Sequence, residues 1–485
     1  MDEDSELVER VMAAMRRRLN DAVGSLREAR TAVAFAEGER ELATLAQELT
    51  AKMVERVVER VSKDPLRRKE ARELVRERAK KRGVTMVMGR DRTTRFRTLG
   101  GGEAVVFTPY ARAKVRGGGK RAVRGKDGTG VYYVLDQLGI RGRSTPAFRL
   151  QVAHAVCEAN SVTSAREVLA TGGVDIDHKA ALRLTYMTTT IALAARAEEV
   201  RATTEGNDDG EFLGRRIVAS VDGGRLQVRR RVAGRPRAGG RKHFETEWRE
   251  PKVLTIYALD ENGRRDRKVA SVLDATLGGA NAVFELLLFH LRRVGAHKAA
   301  ELTLIGDGAE WIWTRAADLR KALELPKARF HQVLDYFHVA ERLHEFAKTR
   351  GWDEDIWKRW YHVNKGLLKD GQIGAIEVSI RAVERAHGLD LSSELAFWAH
   401  HKARMQYGTH RRAARPIGSG AVESTVRRVV NLRLKGASVF WTEEHAEGVL
   451  HLRAQSKSGR WKDLERTVLE NGAWQPTSRI VREAA

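Results

Sequence analysis

Apolar positions recur every three to four residues along the N-terminal stretch: Leu7, Val11, Ala14, Met15 and Leu19, then Leu42, Leu45, Leu49, Met53 and Val57. That spacing predicts amphipathic helix over residues 2–82, with charges of both signs on the other faces. Asp64-Pro65 breaks the pattern and starts a new helix, with Asp64 as its cap and Pro65 at its first position. After Val84 short alternating runs at 94–99 and 104–110 predict strands, divided by Gly100-Gly101-Gly102 and Gly117-Gly118-Gly119. Arg112, Lys114, Arg116, Lys120, Arg121, Arg124 and Lys126 crowd one Gly-rich loop there, which reads either as a phosphate contact or as a basic linker. Helical spacing returns over 146–200. Residues 164–170, a turn through Gly172-Gly173, and 177–197 predict a helix-turn-helix, with Asp177 capping a second helix whose early polar residues are His178, Lys179 and Arg183. The acidic stretch EGNDDGE at 205–211 reads as a domain boundary.

Beyond it the pattern becomes that of a mixed sheet. Residues 217–222 form an apolar run ending in Asp222; Gly223-Gly224 predict a tight turn, and 226–232 alternate as a half-exposed strand. Residues 251–259 predict a third strand. The order then runs helix 280–294, strand 302–306 ending at Asp307, helix 311–323, strand 329–334 and helix 336–349. Three strands, helix, strand, helix, strand, helix is the element order of a ribonuclease-H-like α/β domain. From 350 to 415 Trp352, Trp357, Trp360, Leu367, Leu368, Ile373, Ile376, Val383, Leu395 and Trp398 predict an all-α insertion. A loop through Pro416 to Gly420 leads into a further helix bearing Glu423. The expected organisation is a helical region at 1–83, a small β and Gly-rich basic region at 84–145, a helix-turn-helix-like domain at 146–204, the first part of the sheet domain at 212–349, the insertion at 350–415, and the last part of the sheet domain with its tail at 416–485.

Composition narrows the partners. Lys and Arg total 88 against 64 acidic residues, a net +24, which favours a polyanion, DNA or RNA first. The single cysteine, Cys157, excludes an internal disulfide framework and a cysteine-based zinc site, and fits a reducing cytoplasm. The acidic, amphipathic N-terminus does not read as a signal peptide, and the apolar run at 284–290 is too short to span a bilayer.

Asp222, Asp307 and Glu423 occupy similar positions, each where a predicted element enters or leaves the core. In mixed sheets, ligand sites gather at strand carboxyl ends. Three carboxylates brought together would repel and would suit Mg²⁺ or Mn²⁺, hard cations that prefer oxygen ligands and can assist in-line phosphoryl transfer. Each taken singly also reads as a solvated acid. His338, at a strand-to-helix junction, could steady a phosphate or simply start its helix, and Asp335 is an alternative to Asp307. Arg229, Arg231, Arg241, Lys242, Arg427 and Arg428 join His178, Lys179 and Arg183 as candidate DNA contacts, with Trp398 a candidate for stacking on an unpaired base.

At SVDGG (220–224), GDGAEWIW (306–313), DYFHVAERL (335–343), PIGSGAVES (416–424) and HLRAQSKSGRW (451–461) the chain resembles DDE transposases of bacterial insertion sequences, most closely the ISKra group. The resemblance implies Asp222, Asp307 and Glu423 as the metal-holding catalytic acids and Asp335 with His338 as an auxiliary Asp-x-x-His motif. It implies cleavage at element ends followed by strand transfer into target DNA, with terminal inverted repeats and target DNA as partners and a dimer or larger assembly. Paired cysteines that relatives carry upstream are missing from 92–135. Two other functions remain open on the residues alone: a ribonuclease-H-like nuclease that cuts without joining, and a non-catalytic helix-turn-helix regulator.

Overall fold

The computed structural model describes residues 3–81, 83–114, 130–232, 243–436 and 439–471. They fall into two compact units, one up to Ala192 together with Asp463 onward, the other Leu193–Lys462.

The first unit opens with α1 (Glu3–Glu28), α2 (Ala32–Lys63) and α3 (Pro65–Lys80). Thr31 caps α2 by accepting from Ala34 N at 3.1 Å, and Asp64 caps α3 from Leu66 N at 2.8 Å and Arg67 N at 3.2 Å, as Asp64-Pro65 predicts. The break at 29–31 leaves no mark on the apolar spacing. Five short strands follow: β1 (Thr85–Met88), β2 (Arg92–Arg97), β3 (Glu103–Thr108), β4 (Ala111–Lys114) and β5 (Gly130–Val131). β2 pairs antiparallel with β3, while β1, β4 and β5 form a separate sheet. The buried stripe of α2 shifts towards Ala51, Glu55 and Val58, leaving Val57 exposed, because Glu55 accepts from Val105 N of β3 at 2.7 Å. Then come α4 (Tyr133–Gln137), α5 (Pro146–Glu158), α6 (Val162–Thr171) and α7 (His178–Ala202), whose residues from Leu193 on belong to the second unit. Phe148, Val152, Leu169, Ile176 and Leu184 pack α5, α6 and the start of α7 together. Asp177 caps α7 from Ala180 N at 2.9 Å, and His178, Lys179 and Arg183 are exposed on its first turns.

The second unit is mixed α/β. Its elements are β6 (Arg216–Gly223), β7 (Leu226–Arg231), β8 (Phe244–Arg249), β9 (Lys252–Ala258), β10 (Val272–Thr276), α8 (Ala280–Arg293), β11 (Glu301–Gly306), α9 (Glu310–Ala322), β12 (Phe330–Leu334), α10 (Tyr336–Lys348), α11 (Glu354–Asp370), α12 (Ile373–His387), α13 (Ser392–His401), α14 (Tyr407–Arg412), α15 (Gly420–Val426) and α16 (Glu443–Lys457). Five strands make one sheet in the order β10-β9-β6-β11-β12. β6, β11 and β12 run parallel; β9 and β10 are antiparallel to their neighbours. Both faces are covered. Leu254, Ile256 and Val272 pack into the core with α8, while Val253, Leu273 and Ala275 pack against α15 and α16. That is why the central strands read as continuous apolar runs and not as alternation.

Three expectations are corrected here. Residues 217–232 are not a hairpin, because β7 pairs with β8 in a separate two-stranded ribbon. A Cβ on Gly223 would meet only the end of the exposed Glu250 side chain, one on Gly224 would lie 3.3 Å from Pro251 and Val430, and Gly224 N donates to Pro251 O at 2.8 Å. The third antiparallel strand of the sheet is β10. The boundary expected at 205–211 also moves, because that stretch lies inside the second unit, which begins at Leu193. Asn207 N donates to Arg292 O (2.9 Å), Phe212 N to Val294 O (2.9 Å), and Asp208 accepts from His297 at 2.8 Å. The insertion at 350–415 is helical throughout its main length, α11 to α14, as its apolar spacing predicts.

Candidate active site

Strand register builds the site. Ser220 of β6 lies opposite Ile305 of β11, and Gly306 of β11 opposite Leu334 of β12. Two residues beyond the first pair stand Asp222 and Asp307; one beyond the second stand Asp307 and Asp335. Parallel strands in register therefore bring three carboxylates level at one end of the sheet. The apolar runs before each acid pin the strands in the core, so their ends emerge with fixed backbones.

Asp222 is partly buried and its Oδ1 accepts from Gly223 N at 2.7 Å. Burial raises its carboxyl to about 6, the negative charges of Asp307 and Glu423 add to the rise, and the Gly223 hydrogen bond and the positive charge of His338 oppose it. These four side chains thus share one electrostatic environment. Asp307 accepts from Ala309 N at 3.0 Å, and its carbonyl accepts from Trp313 Nε1 at 2.9 Å, which ties the end of β11 to α9. Trp311 and Trp313 pack α9 against the core; the Lys252 ammonium lies over the Trp311 ring at 4.5 Å and pairs with Glu250 at 2.7 Å.

Glu423 arrives on α15, which packs over β6 and β9 and is anchored by Thr425 Oγ1, 2.9 Å from Thr255 Oγ1. The loop before α15 is held to the start of α10. Tyr336 N donates to Ile417 O at 2.9 Å, and Ser419 N to Asp335 Oδ2 at 2.8 Å. Ser419 Oγ touches Asp335 Oδ2 and lies 3.1 Å from Glu423 Oε1, so one hydroxyl proton serves two carboxylates.

Asp335 is fully buried and caps α10. Its Oδ1 accepts from Phe337 N (2.6 Å) and His338 N (3.4 Å), and its Oδ2 from Ser419 and from His338 Nδ1 at 3.3 Å. These five contacts fill about the four lone-pair directions a carboxylate has. Burial works against its ionisation, but His338, Ser419 and the backbone donors outweigh it and hold the carboxyl below its usual range. His338 is the reciprocal case. The hydrogen bond its Nδ1 donates to Asp335 raises it to about 9 against the opposing effect of burial, and the charges of Asp335, Asp307 and Asp222 add to the rise. It is a cation at neutral pH, facing the strand-end acids.

Donor atoms of Asp335, His338 and Glu423 lie within 4.8 Å of one another, close enough to surround one cation. A cation placed there would have to break bonds that Asp335 already makes and remove a proton from His338. Asp222, Asp307 and Glu423 each accept a single hydrogen bond, from Gly223 N, Ala309 N and Ser419 Oγ, and their donor atoms do not all lie within 4.8 Å of one another. Their oxygen donors, mutual repulsion and a carboxyl raised by burial suit a hard divalent ion.

The remaining candidates scatter. Trp398 is 0% exposed and its Nε1 donates to Glu394 at 2.9 Å. Its ring is core, and the expectation that it stacks on a base is corrected: the apolar neighbours that mark it in sequence are the ones that bury it. Arg229, Arg231 and Arg427 are exposed, and Arg428 is half-buried, donating to Ser424 O at 3.3 Å and Lys457 O at 3.4 Å. Arg241 and Lys242 lie outside the described residues, as do most cations of the Gly-rich loop. Ser419 had no role assigned from sequence; the only local sign is a serine directly before a helix start.

Because its folded value lies above its unfolded one, His338 contributes stability that is full below about pH 6.5 and lost as pH rises through about 9. Urea midpoints measured from pH 6.5 to 9.5 are expected to fall, and His338→Gln to flatten that decline. The side chain is 43% exposed, so the effect is smaller than the shift alone implies. An unchanged slope in the variant would mean that His338 is not the group titrating.

Comparison of the chain with protein-family models, with curated proteins and with solved structures gives no match.

Proposed function

We propose that the second unit is a ribonuclease-H-like catalytic core and that the protein is a DDE transposase, cutting at the ends of its own element and joining them to target DNA. The observation that carries this reading is the register that levels Asp222 with Asp307 on adjacent parallel strands while α15 brings Glu423 into the same electrostatic environment. The excess of 24 positive charges supports a DNA partner.

In this reading Asp222, Asp307 and Glu423 hold Mg²⁺ or Mn²⁺, which when bound activates the attacking oxygen and stabilises the leaving one. The chain supplies position and charge. Asp222 and Asp307 are fixed by paired strands and by Gly223 N and Ala309 N. Asp335 keeps the proton on His338 Nδ1 and aims the imidazolium at the site, where a phosphodiester adds negative charge. Ser419 sets Glu423 against the same buried anchor. No covalent intermediate with the protein is needed; a water and later a 3′-hydroxyl are oriented for in-line attack. His178, Lys179 and Arg183 at the start of α7 are proposed to contact the terminal repeats through the major groove, and holding two ends implies a dimer or larger assembly.

The test is strand transfer by the purified protein on labelled DNA carrying the inverted repeats that flank its reading frame. Joined product with Mg²⁺ or Mn²⁺ supports the reading. Cleavage without joining would leave a ribonuclease-H-like nuclease, and binding with neither would leave a regulator.

Metal binding is open to a separate check. A ligand must lose its proton, so Mn²⁺ is expected to raise the melting temperature at pH 7.5 and to lose that effect below about pH 6, where Asp222 is protonated. Asp222→Asn is expected to lose it at every pH. A shift that survives in the variant would place the ion elsewhere.

A further inference from the structure

The ribbon of β7 and β8 leaves the sheet two residues after Asp222 and returns directly before β9. Its base is fastened: Gly224 N donates to Pro251 O at 2.8 Å, Arg229 N to Trp441 O at 2.7 Å, and Trp441 N to Gln227 O at 3.2 Å. Cross-strand partners share a face, and the register sorts the side chains cleanly. On one face Leu226 is opposite Arg249, Val228 opposite Glu247 and Arg230 opposite Glu245. Leu226 and Val228 are buried there against α15 and α16. On the other face Gln227 is opposite Trp248, Arg229 opposite Thr246, and Arg231 opposite Phe244. The Arg225 guanidinium joins this second face, 5.1 Å from the centre of the Trp248 ring.

Both carboxylates of β8, Glu245 and Glu247, therefore point to the first face. The second carries Arg225, Arg229 and Arg231 with Trp248 and Phe244, and no acid from either strand. The two rings are 50% and 42% exposed, and Arg229 and Arg231 are exposed as well. Water-facing aromatic rings on a strand lower solubility and raise aggregation risk; Phe244 already packs against Phe440, ring centres 5.6 Å apart, while half of the Trp248 ring stays open to a further apolar or π partner. Side chains two apart on one strand are about 6.8 Å apart, which lets Arg229 and Arg231 meet successive points of an extended polyanion.

We infer that this face of the ribbon binds unpaired DNA beside the catalytic acids, with Trp248 and Phe244 stacking on bases and Arg225, Arg229 and Arg231 neutralising phosphates. The inference rests on the proposed action on DNA and adds what the ribbon selects. An intact duplex hides its base faces in the stack; a single strand offers them, and aromatic platforms interleaved with cations are the pattern that takes a single strand without regard to sequence. Cutting at an element end frees such a strand next to the scissile phosphate. Because the ribbon is rooted at Asp222, a strand seated on it is led to the acids.

The experiment is fluorescence anisotropy of the full-length protein, without divalent metal, on a labelled oligonucleotide of about twenty nucleotides and on the same sequence as duplex. Trp248→Ala is expected to weaken single-strand binding about tenfold or more with duplex affinity unchanged, and Trp248→Phe, which keeps a ring, to stay near wild type. Arg229→Ala with Arg231→Ala is expected to reduce the slope of log affinity against log salt by about 1.4. Trp248 is half-exposed, so its loss does not threaten the fold. Equal single-strand binding by wild type and Trp248→Ala, or equal weakening on single strand and duplex, would overturn the inference and leave transposition intact. A wild-type protein that binds neither form of DNA would overturn the functional reading together with it.

Discussion

Asp222→Asn, Asp307→Asn and Glu423→Gln are each expected to lower strand joining by about three orders of magnitude or more, with DNA affinity retained. Removing one ligand from a site that stabilises both attacking and leaving oxygens forfeits several kcal/mol in the transition state. For Asp222 the structure adds a second, opposite expectation. Its carboxyl is raised to about 6 by burial and by Asp307 and Glu423, so at neutral pH its charge opposes folding. Asparagine keeps the shape and can still accept from Gly223 N. The metal-free Asp222→Asn protein should therefore melt above wild type, by about 1 kcal/mol or more in stability. Lost activity with raised stability marks an acid kept for chemistry. Lost activity with lowered stability would make it a structural residue and remove it from the site.

A stability effect of the opposite kind is expected at Asp274, at the centre of β10. Its side chain is inaccessible and receives Arg196 Nη1 at 3.0 Å, His451 Nδ1 at 3.1 Å and His290 Nε2 at 3.0 Å, while Arg196 Nη2 reaches Glu447 at 2.5 Å. Burial alone would keep Asp274 neutral; Arg196 and the two histidines outweigh it and hold the carboxyl well below its usual range. Asp274→Ala leaves the Arg196 guanidinium buried beside two imidazoles with only Glu447 as counter-charge. Breaking a buried pair in this way costs about 3–5 kcal/mol, readable as a fall in the denaturant midpoint of the second unit. The depressed carboxyl makes the contribution full above about pH 4 and lost as pH falls further. A change under about 1 kcal/mol would show that the cluster is not the anchor its geometry describes.

What could be read in advance follows from how far apart the cooperating residues stand. Asp222 and Asp307 each end an apolar run, a local pattern, and both lie where that pattern puts them. Asp64 and Asp177 cap helices for reasons contained within four residues. β10 escaped notice because VLDAT carries a charge at its centre, neutralised by Arg196, His290 and His451 from three helices. β8 escaped because every residue but Arg249 is exposed, so no alternation shows. The apparent hairpin after Asp222 failed because the partner of β7 begins only at Phe244, and Gly223-Gly224 mimic a turn. Asp335 is the instructive case. Its motif spacing to His338 is visible, but its saturation depends on Ser419, 84 residues away, a contact no local pattern announces.

The bonds joining the start of α10 to residues 417–419 have a further consequence. The chain departs on its helical excursion at Tyr336 and is caught again at Ile417 and Ser419, with Tyr407 Oη also tied to Leu334 O at 2.9 Å. The excursion is a loop whose two feet are already clamped together. Doubling the length of such a loop adds only about 0.6 kcal/mol of closure entropy. The return to Glu423 is thereby held by its own bonds, while α11 to α13 still pack into the core through Leu368, Ile376, Leu395 and Trp398, so added length is accommodated in the turns between these helices and not in the helices themselves.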